Sequence, residues 1–121
     1  LSDKIKTAQG DFFREAFPKA DIIVMGMILH DWSEEKKCQL IQKAYDALPD
    51  GGVFVAIENI IDNQRSQNVF GLTMSLNMLI ETAEGFDFTL DDFSKWTKAV
   101  GFKTVDLLPL AGPSSAAIAY K

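Results

Sequence analysis

One histidine and one cysteine in 121 residues leave few of the usual ways to build a reactive centre. A single cysteine, Cys38, excludes an internal disulfide and fits a reducing compartment, so the cytoplasm is the expected location. One imidazole and one thiol, with no ligands closely spaced along the chain, do not build a zinc site, and no metal is expected. The serine nucleophile elbow G-x-S-x-G is missing, as are a P-loop and the dinucleotide fingerprint G-x-G-x-x-G. Long apolar runs are missing too: the stretch from Val69 to Ile80 is interrupted by Thr73, Ser75 and Asn77 and falls short of the ~20 residues that span a bilayer. Nothing at Leu1-Ser2-Asp3-Lys4 reads as a signal peptide, so no membrane association is expected. Positive charge is scarce, with 12 Lys and Arg against 17 Asp and Glu, a net charge of −5 and no basic stripe. Nucleic acid is therefore excluded as a partner, because basic side chains supply most non-specific affinity for a phosphate backbone.

What is present is a folded chain of single-domain size, 47% hydrophobic and 24% charged, able to bury a core. Its organising stretch is Asp21-Ile22-Ile23-Val24-Met25-Gly26-Met27-Ile28-Leu29-His30-Asp31-Trp32, an apolar run ending in the only histidine. A run without polar alternation reads as a central strand of a parallel sheet with helices on both faces. Before it, Ile5 to Gln9 reads as a short strand ending at Gly10-Asp11. After it, Asp31 or Ser33 caps a helix over residues 33–48, which carries Cys38, Ile41, Ala44, Tyr45 and Leu48 at helical spacing. Pro49-Asp50-Gly51-Gly52 turns the chain into a second strand, Val53 to Ile61. An apolar helix follows from about Arg65 to Thr82. Thr89-Leu90-Asp91-Asp92 then opens a helix with Phe93, Trp96 and Val100 on one face, stopped by Gly101. Phe102 to Leu108 and Ser114 to Tyr120 form an antiparallel pair at the sheet edge. The order β, β, α, β, α, α, β, β is an α/β pattern whose last strand doubles back.

In open α/β sheets ligands bind beyond the carboxyl ends of the strands, and His30 stands there. A lone histidine is more often structural than catalytic, but Glu58, at the corresponding end of the second strand, can accept from one ring nitrogen and leave the other free as a base. The competing role for Glu58 is to cap a neighbouring helix. Asp11 and Phe12, a carboxylate and an aromatic ring at a strand end, suit an adenine, although Gly-Asp-aromatic is also a common turn. Cys38, on the apolar face of a helix, is expected to be packed and inert.

Leu29-His30-Asp31-Trp32-Ser33-Glu34-Glu35, together with Gly10-Asp11-Phe12-Phe13, Ala47-Leu48-Pro49-Asp50-Gly51-Gly52, Glu58 and the segment from Thr89 to Ala99-Val100-Gly101-Phe102, resembles the S-adenosylmethionine-dependent O-methyltransferases of plant caffeic-acid type and bacterial polyketide-tailoring type. The resemblance runs over all 121 residues and corresponds to the C-terminal part of such a catalytic domain. It implies a Rossmann-like methyltransferase sheet, parallel strands with an antiparallel edge pair, and S-adenosylmethionine as cofactor. It makes His30 the general base that deprotonates a small-molecule hydroxyl, flanked by Glu58 and by Asp87, which stands where the family usually has the longer glutamate. Asp11 and Phe12 would hold the adenine end, with Trp32 near them. Gly26 falls on the cofactor side, where plant members have a lysine whose contact is then missing or replaced. Asp31, Met78 and Thr82 would border the acceptor.

The glycine-rich strand-turn-helix, the next strand and the N-terminal dimerising domain of such enzymes have no counterpart in this sequence. In the family's topology the two strands concerned lie between the one at Ile5 and the one at Ile22. The fragment is therefore expected to be inactive alone and, through unpaired strand edges, to self-associate as a homo-oligomer. Two other classes stay open: a methyltransferase-like domain that binds a ligand without turnover, suggested by Gly26 and Asp87, and a different reaction on the same scaffold.

Overall fold

The computed structural model describes residues 3–121; Leu1 and Ser2, on which part of the expectation of no leader rests, lie outside the described residues. Among the described residues one four-stranded sheet forms, in the order β1 (Ile22–Gly26), β2 (Val53–Glu58), β4 (Ser115–Tyr120), β3 (Thr104–Pro109). β1 and β2 run parallel, with Ile22 opposite Val53 and Gly26 opposite Ile57. Parallel neighbours need a crossover, which α1 (Glu34–Ala47) supplies. β4 enters antiparallel between β2 and β3, setting Ala119 opposite Phe54 and Ala117 opposite Ala56.

Local chemistry sets the helix ends. Ser33 caps α1 by accepting from the Lys36 amide, and Glu34 and Glu35 face the positive end of its dipole. Thr89 and Asp92 form a reciprocal capping box at the start of α3 (Leu90–Val100). That helix stops at Gly101, whose φ of 126° suits a residue without Cβ. The apolar faces of α1 and α3 meet on one side of the sheet, where Leu40, Ile41, Ala44, Phe93 and Trp96 pack against Phe54 and Ala56 of β2 and Ala117 and Ala119 of β4. The Phe54 and Phe93 rings stack at 6.0 Å.

Several expectations are corrected. Ile5 to Gln9 is not a strand: among the described residues no segment pairs with it and Ile5 is 64% exposed, and an extended segment with no ladder partner leaves its amides to water. β1 is an edge strand rather than a central one, with Ile22 60% and Val24 56% exposed. Helices do not bury both sheet faces equally, since Val53, Val55, Ile57 and Ile118 opposite the core are only half-buried. The apolar helix α2 begins at Val69, not Arg65 (Val69–Glu81). The delay comes from Asp62, whose carboxylate accepts from the amides of Ser66, Gln67 and Asn68 and holds residues 62–68 as a turn; those bonds hold its pKa well below the usual range.

β2 ends at Glu58, but the chain past it stays extended enough for the Ile61 amide to donate to the Phe88 carbonyl at 2.9 Å. This bridge lays residues 86–89 beside the end of the sheet, which brings Asp87 towards His30.

Candidate active site

Past the end of β1 the chain makes a single 3-10 turn, Leu29–Asp31, and the Glu58 carboxylate holds its start by accepting from the amides of Ile28 (3.1 Å) and Leu29 (2.9 Å). Glu58 therefore does perform the capping role that competed with catalysis, using Oε1, while its buried Oε2 has no hydrogen-bond partner. The expected bond from the imidazole to Glu58 is corrected: the carboxylate facing Nδ1 is Asp87, 3.5 Å away. Despite its short side chain, Asp87 reaches the ring because its own amide donates to the Ser75 hydroxyl on α2 at 3.1 Å. Asp31 Oδ1 lies 3.4 Å from Nε2, so the ring sits between two carboxylates, one buried and one partly open to solvent.

Gly85 lets these segments meet. A Cβ there would come within 2.5 Å of the His30 carbonyl oxygen and 2.4 Å of Thr82 Oγ1. Only a residue without a side chain allows the strand-like segment carrying Asp87 to lie on the turn carrying His30.

The electrostatics follow from burial among acids. The His30 pKa is raised above 6.5, first by the Asp87 carboxylate that faces Nδ1 and further by the charges of Glu58, Asp87 and Asp31, with desolvation opposing. Burial pushes Glu58 up to about 7, against His30 and the two amides it accepts from. Glu58 thus changes charge near neutrality, and His30 is a stronger proton acceptor than a free imidazole. His30, Glu58 and Asp87 each bring a potential ligand atom within 4.8 Å of the others. The absence of a ligand cluster along the sequence is therefore corrected in space, where residues distant in the chain converge.

Sequence reasoning overlooked Lys37, which is fully buried on α1 beside this group. The signal was available: 37 precedes 40, 41 and 44 at helical spacing, on the face that packs. Cys38, assigned to that face, is only half-buried, and desolvation raises its thiol pKa, which suits an inert side chain.

The other candidates fall in two places. Met78 is buried in α2. The Thr82 hydroxyl donates to the Met78 carbonyl at 2.7 Å and accepts from the Gly85 amide at 2.8 Å, so it finishes α2. On the opposite side Phe13 packs edge-on against Trp32 at 4.7 Å, with Phe12 at 6.1 Å from the same indole. Trp32 Nε1 is buried without a hydrogen-bond partner. Asp11 accepts from the amides of Phe13 and Arg14, closing its own turn as the competing reading has it. Gly26 is exposed, with nothing within 4 Å of where a Cβ would be. An apolar cavity of about 360 Å³ runs along β1 between Phe12, Phe17, Met25 and Ile28 and does not include His30.

A mixed sheet with an inserted antiparallel strand, and a histidine and acids beyond its parallel strand ends, is the architecture of a Rossmann-like methyltransferase. A family model for the O-methyltransferase domain matches residues 1–103, and the chain belongs to that family. It is 33% identical over 120 residues to the tetracenomycin polyketide synthesis 8-O-methyl transferase of Streptomyces glaucescens, covering 99% of this chain and 35% of that protein. With the acetylserotonin O-methyltransferase of Bos taurus it shares 34% identity over 119 residues, 98% of this chain and 34% of the relative. The crystal structure of human N-acetylserotonin methyltransferase in complex with SAM superposes with a TM-score of 0.93 at 29% identity, over 100% of this chain and 35% of that one. The chain thus spans about a third of the length of the relatives it matches. No described helix is long and apolar enough to cross a membrane.

Proposed function

We propose that this chain is the base-bearing part of an S-adenosylmethionine-dependent O-methyltransferase, in which His30 takes the proton of a small-molecule hydroxyl, best a phenol, as the oxygen is methylated. The observation that carries the reading is the buried imidazole lying between two carboxylates, Asp31 at 3.4 Å from Nε2 and Asp87 at 3.5 Å from Nδ1, with Glu58 adding its charge, beyond the parallel strand ends. Asp87 orients the ring and stabilises the imidazolium that forms. Nε2 faces the partly exposed Asp31, with which an arriving hydroxyl would have to compete. Contacts of this length tighten when substrate arrives. Met78 contributes an apolar wall. We read the cluster of His30, Glu58 and Asp87 as a proton-handling group and not as a metal site, because Lys37 already brings a positive charge to it.

The cofactor fits what is here in part. An aromatic corner with an orphaned indole N–H at Trp32 suits a flat heterocycle, and Phe12, Trp32 and the open space beside Gly26 would hold it. When bound, the cofactor supplies an electrophilic methyl on a sulfonium. This chain supplies alignment and a base whose pKa is raised above that of a free imidazole, general-base catalysis being worth ~10²- to 10⁴-fold. The residues that would cradle the rest of the cofactor are not among these 121, so the isolated chain is proposed to be inactive. The exposed edge of β1 is proposed to pair with a further strand, of another copy when the chain is alone.

In the longest encoded form, His30→Ala is expected to lower methyl transfer to phenols at least ~100-fold while S-adenosylmethionine affinity by calorimetry stays nearly unchanged. Unchanged turnover removes His30 from the mechanism. Tight cofactor binding with no transfer to any hydroxyl would favour the ligand-binding module instead.

A further inference from the structure

Lys37 occupies a position where a helix packed on a sheet ordinarily carries an apolar residue. It lies one turn before Leu40, Ile41 and Ala44 on the buried face of α1 and has no exposed surface. Its ammonium donates to the Trp32 carbonyl and rests 3.4 Å from the centroid of the Phe86 ring and 5.9 Å from that of Phe88. Trp32 follows His30 by two residues and Phe86 precedes Asp87 by one. A single side chain therefore ties the turn that carries the imidazole to the segment that carries its carboxylate.

The charged groups around the ammonium come from every element packed there: Glu58 from β2, Asp87 from the segment before α3, Glu34 from α1 itself and Asp31 from the 3-10 turn. Two buried carboxylates, Glu58 and Asp87, together have three oxygens without a hydrogen-bond partner. Leaving such groups charged without a nearby cation costs several kcal/mol, and the imidazole supplies at most one positive charge, only when protonated. A permanently placed ammonium supplies the other. Cation–π contact with two rings offsets part of its own desolvation.

We infer that Lys37 is a positioning residue of the His30 site: it fixes the His30–Trp32 turn against the Phe86–Asp87 segment and provides the positive charge that lets Glu58 and Asp87 surround the imidazole as carboxylates. For its bearing on turnover this inference rests on His30 being the base. Burial lowers the Lys37 pKa to about 8, with the four carboxylates resisting the fall, so at neutral pH the side chain is still mostly charged.

The test reads the imidazole directly. His30 is the only histidine of the chain, and its ring signals in a carbon–proton NMR titration are assigned by their loss in His30→Gln. Removing a nearby positive charge strengthens proton binding by the group that remains. Lys37→Met and Lys37→Gln are therefore each expected to raise the ring's titration midpoint by roughly half a pH unit or more, and the Glu58 carboxyl midpoint with it. Gln keeps a donor for the Trp32 carbonyl and should lose less thermal stability than Met while shifting the midpoints equally. A purely structural lysine would cost stability in both variants with the midpoints in place, and that result overturns the inference. Should neither variant fold, the wild-type Lys37 side chain is titrated in lysine-labelled protein. A midpoint near 8 that falls further in Asp87→Asn supports the role, and one in the ordinary lysine range overturns it. The ring titration needs no turnover, so its failure is distinct from failure of the His30→Ala activity test.

Discussion

The two sides of the candidate site are built differently. On the base side, His30, Glu58, Asp87 and Lys37 come from four separate segments and every one is buried. Three of the four are held by hydrogen bonds to other residues: the Leu29 amide on Glu58, the Ser75 hydroxyl on the Asp87 amide, the Trp32 carbonyl on Lys37; His30 lies between the carboxylates of Asp31 and Asp87. On the cofactor side, Asp11 bonds only within its own turn, and Phe12 and Gly26 are exposed. The first is arranged by packing between segments distant in the chain. The second is a surface with aromatic groups and one orphaned indole N–H, waiting for something to be laid on it. Acid–base work needs the first kind of construction, since a carboxylate displaced by 1 Å no longer orients its ring.

That contrast predicts a pH-dependent stability that arises on the base side between about pH 4.5 and 8. Glu58 has its folded pKa raised from 4.5 to about 7. A raised group contributes stability that is complete below the unfolded value and is lost as pH climbs through the folded one. At ~1.4 kcal/mol per pH unit, the Glu58 shift is worth on the order of 3 kcal/mol across that window. His30 acts in the same direction, its contribution present below 6.5 and lost above its raised folded pKa. Lys37, lowered from 10.5 to about 8, does the reverse: its contribution is present above 10.5 and is lost as pH falls through 8. Urea unfolding from pH 4.5 to 9 should therefore show stability falling to a minimum between about 7 and 8 and then beginning to recover, a recovery that Cys38, raised from 9.0, and Tyr120, raised from 10.0, oppose at higher pH. Glu58→Gln should flatten most of the falling limb. A flat profile in the wild type would mean that the two sides do not differ in this way. Asp62, lowered by its turn, adds a loss only below 3.8, outside this range.

A smaller effect is expected at the contact that joins the two base-side segments. In Gly85→Ala the added methyl would meet the His30 carbonyl oxygen and Thr82 Oγ1. Overpacking against backbone costs ~1–3 kcal/mol, measurable by the same unfolding experiment. The diagnostic readout is the ring of His30: pushing Asp87 away removes the largest influence raising its pKa, so the imidazole midpoint should fall. Lost stability with an unmoved midpoint would show that Gly85 serves only the end of α2.

How much of this was legible beforehand divides along the same line. The elements whose ends are set by nearby residues were readable: the capping box at Thr89 and Asp92, the turn from Pro49 to Gly52, and the antiparallel β3 and β4. His30 at a strand end could be placed by pattern, and Asp87 by resemblance. What failed depends on partners. Ile5 to Gln9 has the composition of a strand but nothing to pair with, and the apolar run at Ile22 promised a covered strand where the described sheet has an edge. Read from the strand ends alone, the ring's acceptor was Glu58, and the resemblance added Asp87 beside it; the Glu58 bonds to the Ile28 and Leu29 amides separate the two, leaving Asp87 to face Nδ1. Lys37 escaped notice because a lysine inside a helix is taken for a solvated residue unless the buried face is counted through it.

The smallest effect on the fold is expected on the cofactor side, where Phe12→Ala tests whether the contrast is one of function or merely of exposure. Phe12 keeps 38% of its surface exposed, and its ring touches Phe13 at 4.8 Å and Trp32 at 6.1 Å, not the main core. Truncating a half-exposed aromatic outside the core should cost less than ~1 kcal/mol of stability, well below the 3–5 kcal/mol typical of a buried phenylalanine. If the corner receives a flat heterocycle, the same truncation in the longest encoded form should weaken S-adenosylmethionine binding by about tenfold, a stacking contribution of ~1 kcal/mol. The His30 ring midpoint should not change, because no base-side contact involves Phe12. Equal affinity in Phe12→Ala and wild type would remove the aromatic corner from the cofactor site while leaving the base side as it stands. A shifted His30 midpoint would show instead that the two sides are coupled through Trp32, whose ring Phe13 packs against and whose carbonyl receives Lys37.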